Sequence, residues 1–465
     1  MRASPADSVP PARSLARLAA GLRISDVPAA VRDRAKLHIL DAIGLGFASH
    51  AYDYATSAIA GIEAIGASGD CTVLGLNRGF EVRDAALLNA ILVHGLDFDD
   101  THLASIIHPT ATSLPAALAV AETQDASGED LLAAFLAGAE TGIRIGAAVD
   151  GGLHHVGFHA TGLVAHFASA ITAGKLLGLS EDQLTAAQGI AGSTASGIQV
   201  FLEEGAWTKR FHPGWGAVAG ITAARLAQHG FKGPTRPYEG RFGLFETHLQ
   251  QEASHAKTHA LTDGLGKLWR FGETALKPYP VCHFIHGCAD AAIELHREIG
   301  GVEIVAVRAF LPQPTLHIVA EPVEQKERPT TDYEGKFSAQ FVVASCLLKG
   351  AFGMTDLRPQ AFADPQIQAL TARVKCSADP DSAFPTYFSG GVEVTLRDGR
   401  VLARHVRVNS GAGERALTSE AVVAKFMGSA TLTLPVAKAQ RICETVLEIE
   451  RISARELAAA LRDGG

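Results

Sequence analysis

GVEVTLRDGRVLARHVRV, residues 391–408, is the stretch on which the fold turns. Apolar and polar side chains alternate on both sides of Asp398-Gly399, a dipeptide suited to the tight turn of a β-hairpin. Working outward, VEIVAVRAFLP at residues 302–312 alternates in the same way and predicts a third strand. Between them, GKFSAQFVVASCLLKG reads as a helix. DPQIQALTARVKCSAD reads as a helix running into a strand, with Asp364-Pro365 as cap and first turn.

Beyond this island the period is helical. DVPAAVRDRAKLHILDAIGLGFAS opens with Asp26 as N-cap and Pro28 in the first turn, and Val27, Val31, Ala35, Ile39 and Ile43 recur every four residues. DAALLNAILVHGL, HATGLVAHFASAITAGKLLG and AVAGITAARLAQHG follow suit, as does PVAKAQRICETVLEIE near the end. Their many Gly and Ala residues predict close helix–helix approach at some cost in helix propensity. The predicted fold class is mainly α: a large all-helical domain over residues 14–275 and 409–465, with a smaller α+β domain, residues 276–408, inserted. Residues 1–13 are Pro-rich and read as a disordered tail.

The gross numbers limit what the chain does. It has 465 residues, 47% of them hydrophobic and 19% charged, so it has ample material for a core. A formal net charge of -8 argues against a general nucleic-acid surface, so an anionic ligand must be drawn by a local cluster of Lys, Arg and His. Six scattered cysteines, without a CxxC pair, suit a reducing cytoplasm. LLAAFLAGAETGIRIGAAV comes nearest to a membrane span, but Glu140 and Arg144 break it, so a buried helix is expected and no membrane partner.

Four polar clusters interrupt this apolar background, each at a junction between helical stretches. LDFDDTHLASIIHP carries Asp97, Asp99, Asp100, His102 and His108. GLHHVGFHATG carries His154, His155 and His159. EEGAWTKRFHPGW carries Lys209, Arg210 and His212, and LKPYPVCHFIHG carries Lys277, His283 and His286. Each has a plainer reading: aspartates cap helices, Lys209-Arg210 is a solvated basic pair, and KPYP is a stiff turn. His154 and His155 are adjacent, so at least one is a surface or packing residue. The recurrence of His and Lys in all four points to chemistry.

Aspartates with histidines suit a divalent metal and a metal-dependent hydrolase. Against that, the first cluster lacks HExxH or a comparable spacing, and the lysines would repel a cation. A neutral imidazole, by contrast, takes a proton from carbon beside a carboxylate, while lysines stabilise the enediolate. The excess of Lys and His favours this metal-free reading. A non-catalytic helical scaffold would leave these clusters without a purpose.

In this order, HGLDFDDTH with HPT, GFHATG, WTKRFHPGW, KPYPVCHFIHGCADAA and KFSAQFVVASCLLKG resemble the MmgE/PrpD family, over nearly the whole chain. Members of that family dehydrate 2-methylcitrate, decarboxylate cis-aconitate or epimerise iminodisuccinate. The resemblance implies a helical domain with an α+β lid, a homodimer and an active site between the two domains that needs no cofactor and no metal. It implies that Asp97, Thr101, His108, His159, Lys209 and Lys277 form the catalytic set, with Arg210, His212, His283 and His286 around the substrate. Under it, His and Asp handle protons and the lysines grip the carboxylates. Two positions depart from the family pattern: Thr110 stands where members have serine, and Cys282 stands where decarboxylases place a histidine.

The expectation is a lyase that dehydrates a small polycarboxylate, with epimerisation and decarboxylation as alternatives. Asp97 and Thr101, four apart, are expected on one helical face, with Asp99 pointing elsewhere.

Overall fold

A computed structural model describes residues 9–462. The chain is mainly α and forms two compact units. One takes the described residues up to Thr274 together with those from Thr418 on; the other is Ala275–Leu417.

In the helical unit, long apolar helices pack side by side. Ala29–Ser49 buries Ala35, Ile39 and Ile43 completely, as their spacing demands. Asp26 does not cap it. Its carboxylate instead accepts from Arg23 N at 3.0 Å, and Pro28 occupies the capping position. Pro cannot donate a backbone N–H, and the first turn needs none. Gly128–Val149 is long and apolar enough to cross a membrane, yet 94% of its apolar window is buried inside the protein. The two charges in its interior pair, Arg144 Nε donating to Glu140 Oε1 at 2.8 Å.

Small residues set the closest approach. Gly216 and Gly220 of the Thr208–Gln228 helix lie against Ala165, Ser169 and Ala170 of the Ala160–Leu176 helix. A Cβ on Gly220 would come within 2.6 Å of Ala170 N, a contact the packing does not allow.

The packed chain starts earlier than its composition suggested. Pro11–Gly21 is a helix that buries Ala12, and Gln188 Nε2 donates to Ala12 O at 2.8 Å. Residues 11–13 therefore belong to the fold and not to a tail; residues 1–8 lie outside the described residues.

The second unit holds a four-stranded sheet in the spatial order Val374–Ala378, Ile304–Leu311, Gly390–Leu396, Val401–Val406. The first pair is parallel and the other two are antiparallel. The expected hairpin is present, with Val392 opposite Arg404, Val394 opposite Leu402, and Gly399 at a φ of 88° in the turn. Val392, Val394 and Leu396 point into the core, while Glu393 and Thr395 are half-buried. The helices Ala339–Lys349 and Pro365–Thr371 carry the chain between the parallel strands. Asp364 caps the second of these by accepting from Gln366 N and Ile367 N.

Candidate active site

The acid-rich run is a turn and not a helix face. Val82–His94 ends just before Gly95, and Asp97 adopts a left-handed conformation with φ 52°. Asp100 and Thr101 are extended, so the expected helical pairing of Asp97 with Thr101 does not form. The reason is local. Gly95, Asp97, Asp99 and Asp100 all favour turns over helix interiors. Two further site residues sit at helix starts: His108 and His159 immediately precede Pro109–Gln124 and Ala160–Leu176, and neither side chain makes a cap hydrogen bond. Lys209 lies in the first turn of Thr208–Gln228.

These pieces converge. Lys209 Nζ lies 2.7 Å from Asp97 Oδ2, and His108 Nε2 lies 3.9 Å from Asp97 Oδ1. The ring centroids of His108 and His159 are 6.5 Å apart, and His212 Nδ1 lies 3.1 Å from His159 Nδ1. Asp99 faces inward, against expectation: its Oδ2 is 2.8 Å from His94 Nδ1 and its Oδ1 is 3.4 Å from His108 Nδ1. The Thr101 hydroxyl is buried and has no hydrogen-bond partner among the described residues. Arg210 points out of this group. Its Nε donates to Gly95 O and its guanidinium lies 4.2 Å from the centre of the Tyr54 ring. His154 ring-packs against His159, whereas His155 is exposed.

The hydrogen bonding fixes the tautomer of His108. Its Nδ1 is 2.6 Å from the Asp100 carbonyl oxygen, which only accepts, so Nδ1 carries the proton. The lone pair of the neutral ring is then on Nε2, toward Asp97. Asp100 is itself anchored, by Thr110 Oγ1 at 2.6 Å and His38 Nδ1 at 2.7 Å. Thr110 supplies the hydroxyl that a serine would supply, so that departure from the family pattern preserves the bond.

Burial, together with the charges of His212 and Lys209, holds His159 well below the usual imidazole range. Burial, with His94 and Lys209, likewise pushes His212 to about 4. Burial and the neighbouring Asp99 raise the Asp100 carboxyl to about 7. Neutral imidazoles beside a lysine, at the N-termini of three long helices, favour an anion. Ring nitrogens of His94, His108 and His159 lie within 4.8 Å of one another, a grouping that offers ligands to a metal. The Lys209 ammonium and the three helix dipoles oppose a cation at that spot.

In the other unit, Lys277 is fully buried, and the rings of His283 and His286 are 4.3 Å apart. Asn409 Nδ2 donates to His283 Nε2 at 2.9 Å, and His286 Nε2 is 3.3 Å from the Val281 carbonyl. Cys282 is buried beside them.

His94, His38 and Lys425 escaped the sequence reading, which named Asp99 but turned it away from the site. His94 begins the HGLDFDDTH motif and was discoverable there. Lys425 sits in the ordinary-looking helix Ser419–Ala430, where no motif marks it.

The helical scaffold thus gathers buried His94 and His159, half-buried His108 and His212, the carboxylates of Asp97 and Asp99 and the Lys209 ammonium. The chain belongs to the MmgE/PrpD family: residues 13–256 match the MmgE/PrpD N-terminal domain and residues 279–451 the MmgE/PrpD C-terminal domain. Among similar proteins is a cis-aconitate decarboxylase-like protein of Aspergillus oryzae, 29% identical, the match covering 92% of each chain. Human cis-aconitate decarboxylase is 28% identical over 92% of this chain and 90% of its own. The 2-methylcitrate dehydratase of Cupriavidus necator is 23% identical over 91% of this chain and 90% of its own.

Proposed function

We propose that this protein is a lyase that needs no cofactor and acts on a small polycarboxylate of the cis-aconitate kind, releasing carbon dioxide. The observation carrying this reading is the arrangement of His108, Asp97 and Lys209, with Nε2 of His108 fixed as its reactive nitrogen. Loss of carbon dioxide leaves an electron pair on carbon, spread onto a neighbouring carboxylate. Lys209 and the helix N-termini stabilise that charge, and a protonated His108 delivers the proton to carbon. The decarboxylase-named relatives match over nearly the whole chain at higher identity than the dehydratase, which favours decarboxylation over the dehydration expected from the motifs.

Cys282 favours a second reading, since decarboxylases of the family place a histidine there. In dehydration, neutral His108 removes a proton from carbon beside a carboxylate, and the hydroxyl on the neighbouring carbon leaves as water by taking the proton that His108 then carries. Incubation with cis-aconitate, 2-methylcitrate and iminodisuccinate in deuterated water separates the outcomes. Carbon dioxide release from cis-aconitate supports the first reading and alkene formation from 2-methylcitrate the second. Deuterium uptake without loss of water or carbon dioxide means epimerisation. Turnover that survives exhaustive chelation excludes the metal-dependent hydrolase.

We also propose a homodimer. Trp207, Phe211 and Trp215 line the outer face of one helix, 47%, 39% and 45% exposed, beside an apolar cavity of about 380 Å³ that includes Tyr54, Ile62 and Ile91. Trp215→Glu should yield a monomer by size-exclusion chromatography with light scattering; an unchanged mass would remove this face as the interface.

A further inference from the structure

We propose that Lys425 is a positioning residue for the proton chemistry, acting through the backbone of the acid turn. This rests on the lyase reading and adds a residue to it. Lys425 comes from Ser419–Ala430, far along the chain from every motif of the site. Its ammonium donates to the Phe98 carbonyl at 2.7 Å and to Asp41 Oδ2 at 2.9 Å, and lies 3.9 Å from the centre of the Phe98 ring.

Phe98 is the residue between the two carboxylates that matter. Asp97, before it, holds the left-handed conformation that aims its side chain at Lys209 and His108. Asp99, after it, contacts His94 and His108. A left-handed aspartate carries backbone strain that its surroundings must hold. Farther along the turn, Thr110 and His38 grip Asp100, whose carbonyl fixes the His108 tautomer. At Phe98 the hold is Lys425. Both anchors lie just C-terminal to Asp97, and the one at Phe98 holds the peptide that follows it.

A plain ion pair between Lys425 and Asp41 would explain burial of both groups equally well, so the two roles must be separated. The Asp41 carboxyl is already pushed up to about 6, chiefly by burial, and asparagine replaces it without loss of an acceptor. Asp41→Asn keeps the Lys425–Phe98 bond and should retain turnover within about threefold of wild type. Lys425→Met breaks that bond, and kcat should fall by roughly 10–100-fold with KM changed little. Lys425→Arg restores a donor and should recover most of the loss. The double variant Lys425→Met/Asp41→Asn removes both buried charges, so it stays folded while kcat remains low.

A crystal structure of Lys425→Met gives a readout independent of turnover. We expect Asp97 to leave positive φ and its carboxylate to separate from Lys209. The proposal is overturned if folded Lys425→Met keeps wild-type kcat, if kcat falls equally in Asp41→Asn, or if Asp97 is unmoved. Wild-type protein inert toward every polycarboxylate, with Asp97 displaced in Lys425→Met, would instead overturn the lyase reading and leave the positioning role standing.

Discussion

Asp97 combines two demands that a substitution can pull apart. Its backbone is left-handed, a conformation that Asp and Asn tolerate better than most residues. Its carboxylate meets Lys209 and His108. Asp97→Asn therefore keeps the turn and removes only the charge. Turnover should drop by roughly 10²–10⁴-fold while thermal stability changes little, measured as kcat/KM beside a melting curve. A variant with near-normal turnover would remove Asp97 from the chemistry. The residue types of this site were readable from the sequence, but their arrangement was not. Spacing suggested Asp97 and Thr101 on one helical face, whereas Gly95 ends the helix and the following aspartates prefer to turn. Asp99 was expected to face away because that expectation assumed a helical period.

Elements were more legible. The hairpin around Asp398-Gly399, the strand at Ile304–Leu311 and the Asp364 cap all follow from alternation and capping, which are local rules. The cap expected at Asp26 fell one short turn away, because Pro28 took the position. Lys425 was illegible, since its partners Asp41 and Phe98 lie hundreds of residues away and nothing nearby marks it. The small-residue stripe yields a prediction at this scale. Gly220→Val forces a side chain against Ala170 N, in a helix pair that also carries Lys209 and His159. Overpacking of this kind costs about 1–3 kcal/mol, to be read as a lower midpoint in urea denaturation. Turnover should fall further than the folded fraction does, because the two helices shift the reacting groups. Unchanged stability would mean that the helix contact is looser than described.

Across the whole protein, proton linkage sets a pH dependence of stability. Burial is the largest cause that holds His154, His166 and His212 at about 4, below the ordinary imidazole value. Each binds a proton more tightly when unfolded, so its contribution is complete above about 6.5 and disappears as pH falls toward 4. Asp41 and Asp100 act in the opposite sense. Their folded values, about 6 and about 7, exceed the unfolded ones, so their contribution is lost as pH rises through that range. The histidines outnumber the aspartates, and the melting temperature should climb from pH 4.5 to 6 and flatten near 7. Calorimetry across that range tests it, and a melting temperature highest at pH 4.5 would refute the sum.

The helical unit is completed only by the chain from Thr418 on. During synthesis, Ala275–Leu417 must therefore leave the ribosome before the support for the acid turn exists. A nascent chain stalled at residue 417 would already contain Asp97, His108, His159 and Lys209, yet would lack Lys425. On the lyase reading, competence waits for the helix that carries Lys425, and a premature stop codon anywhere before that helix should yield an inert product.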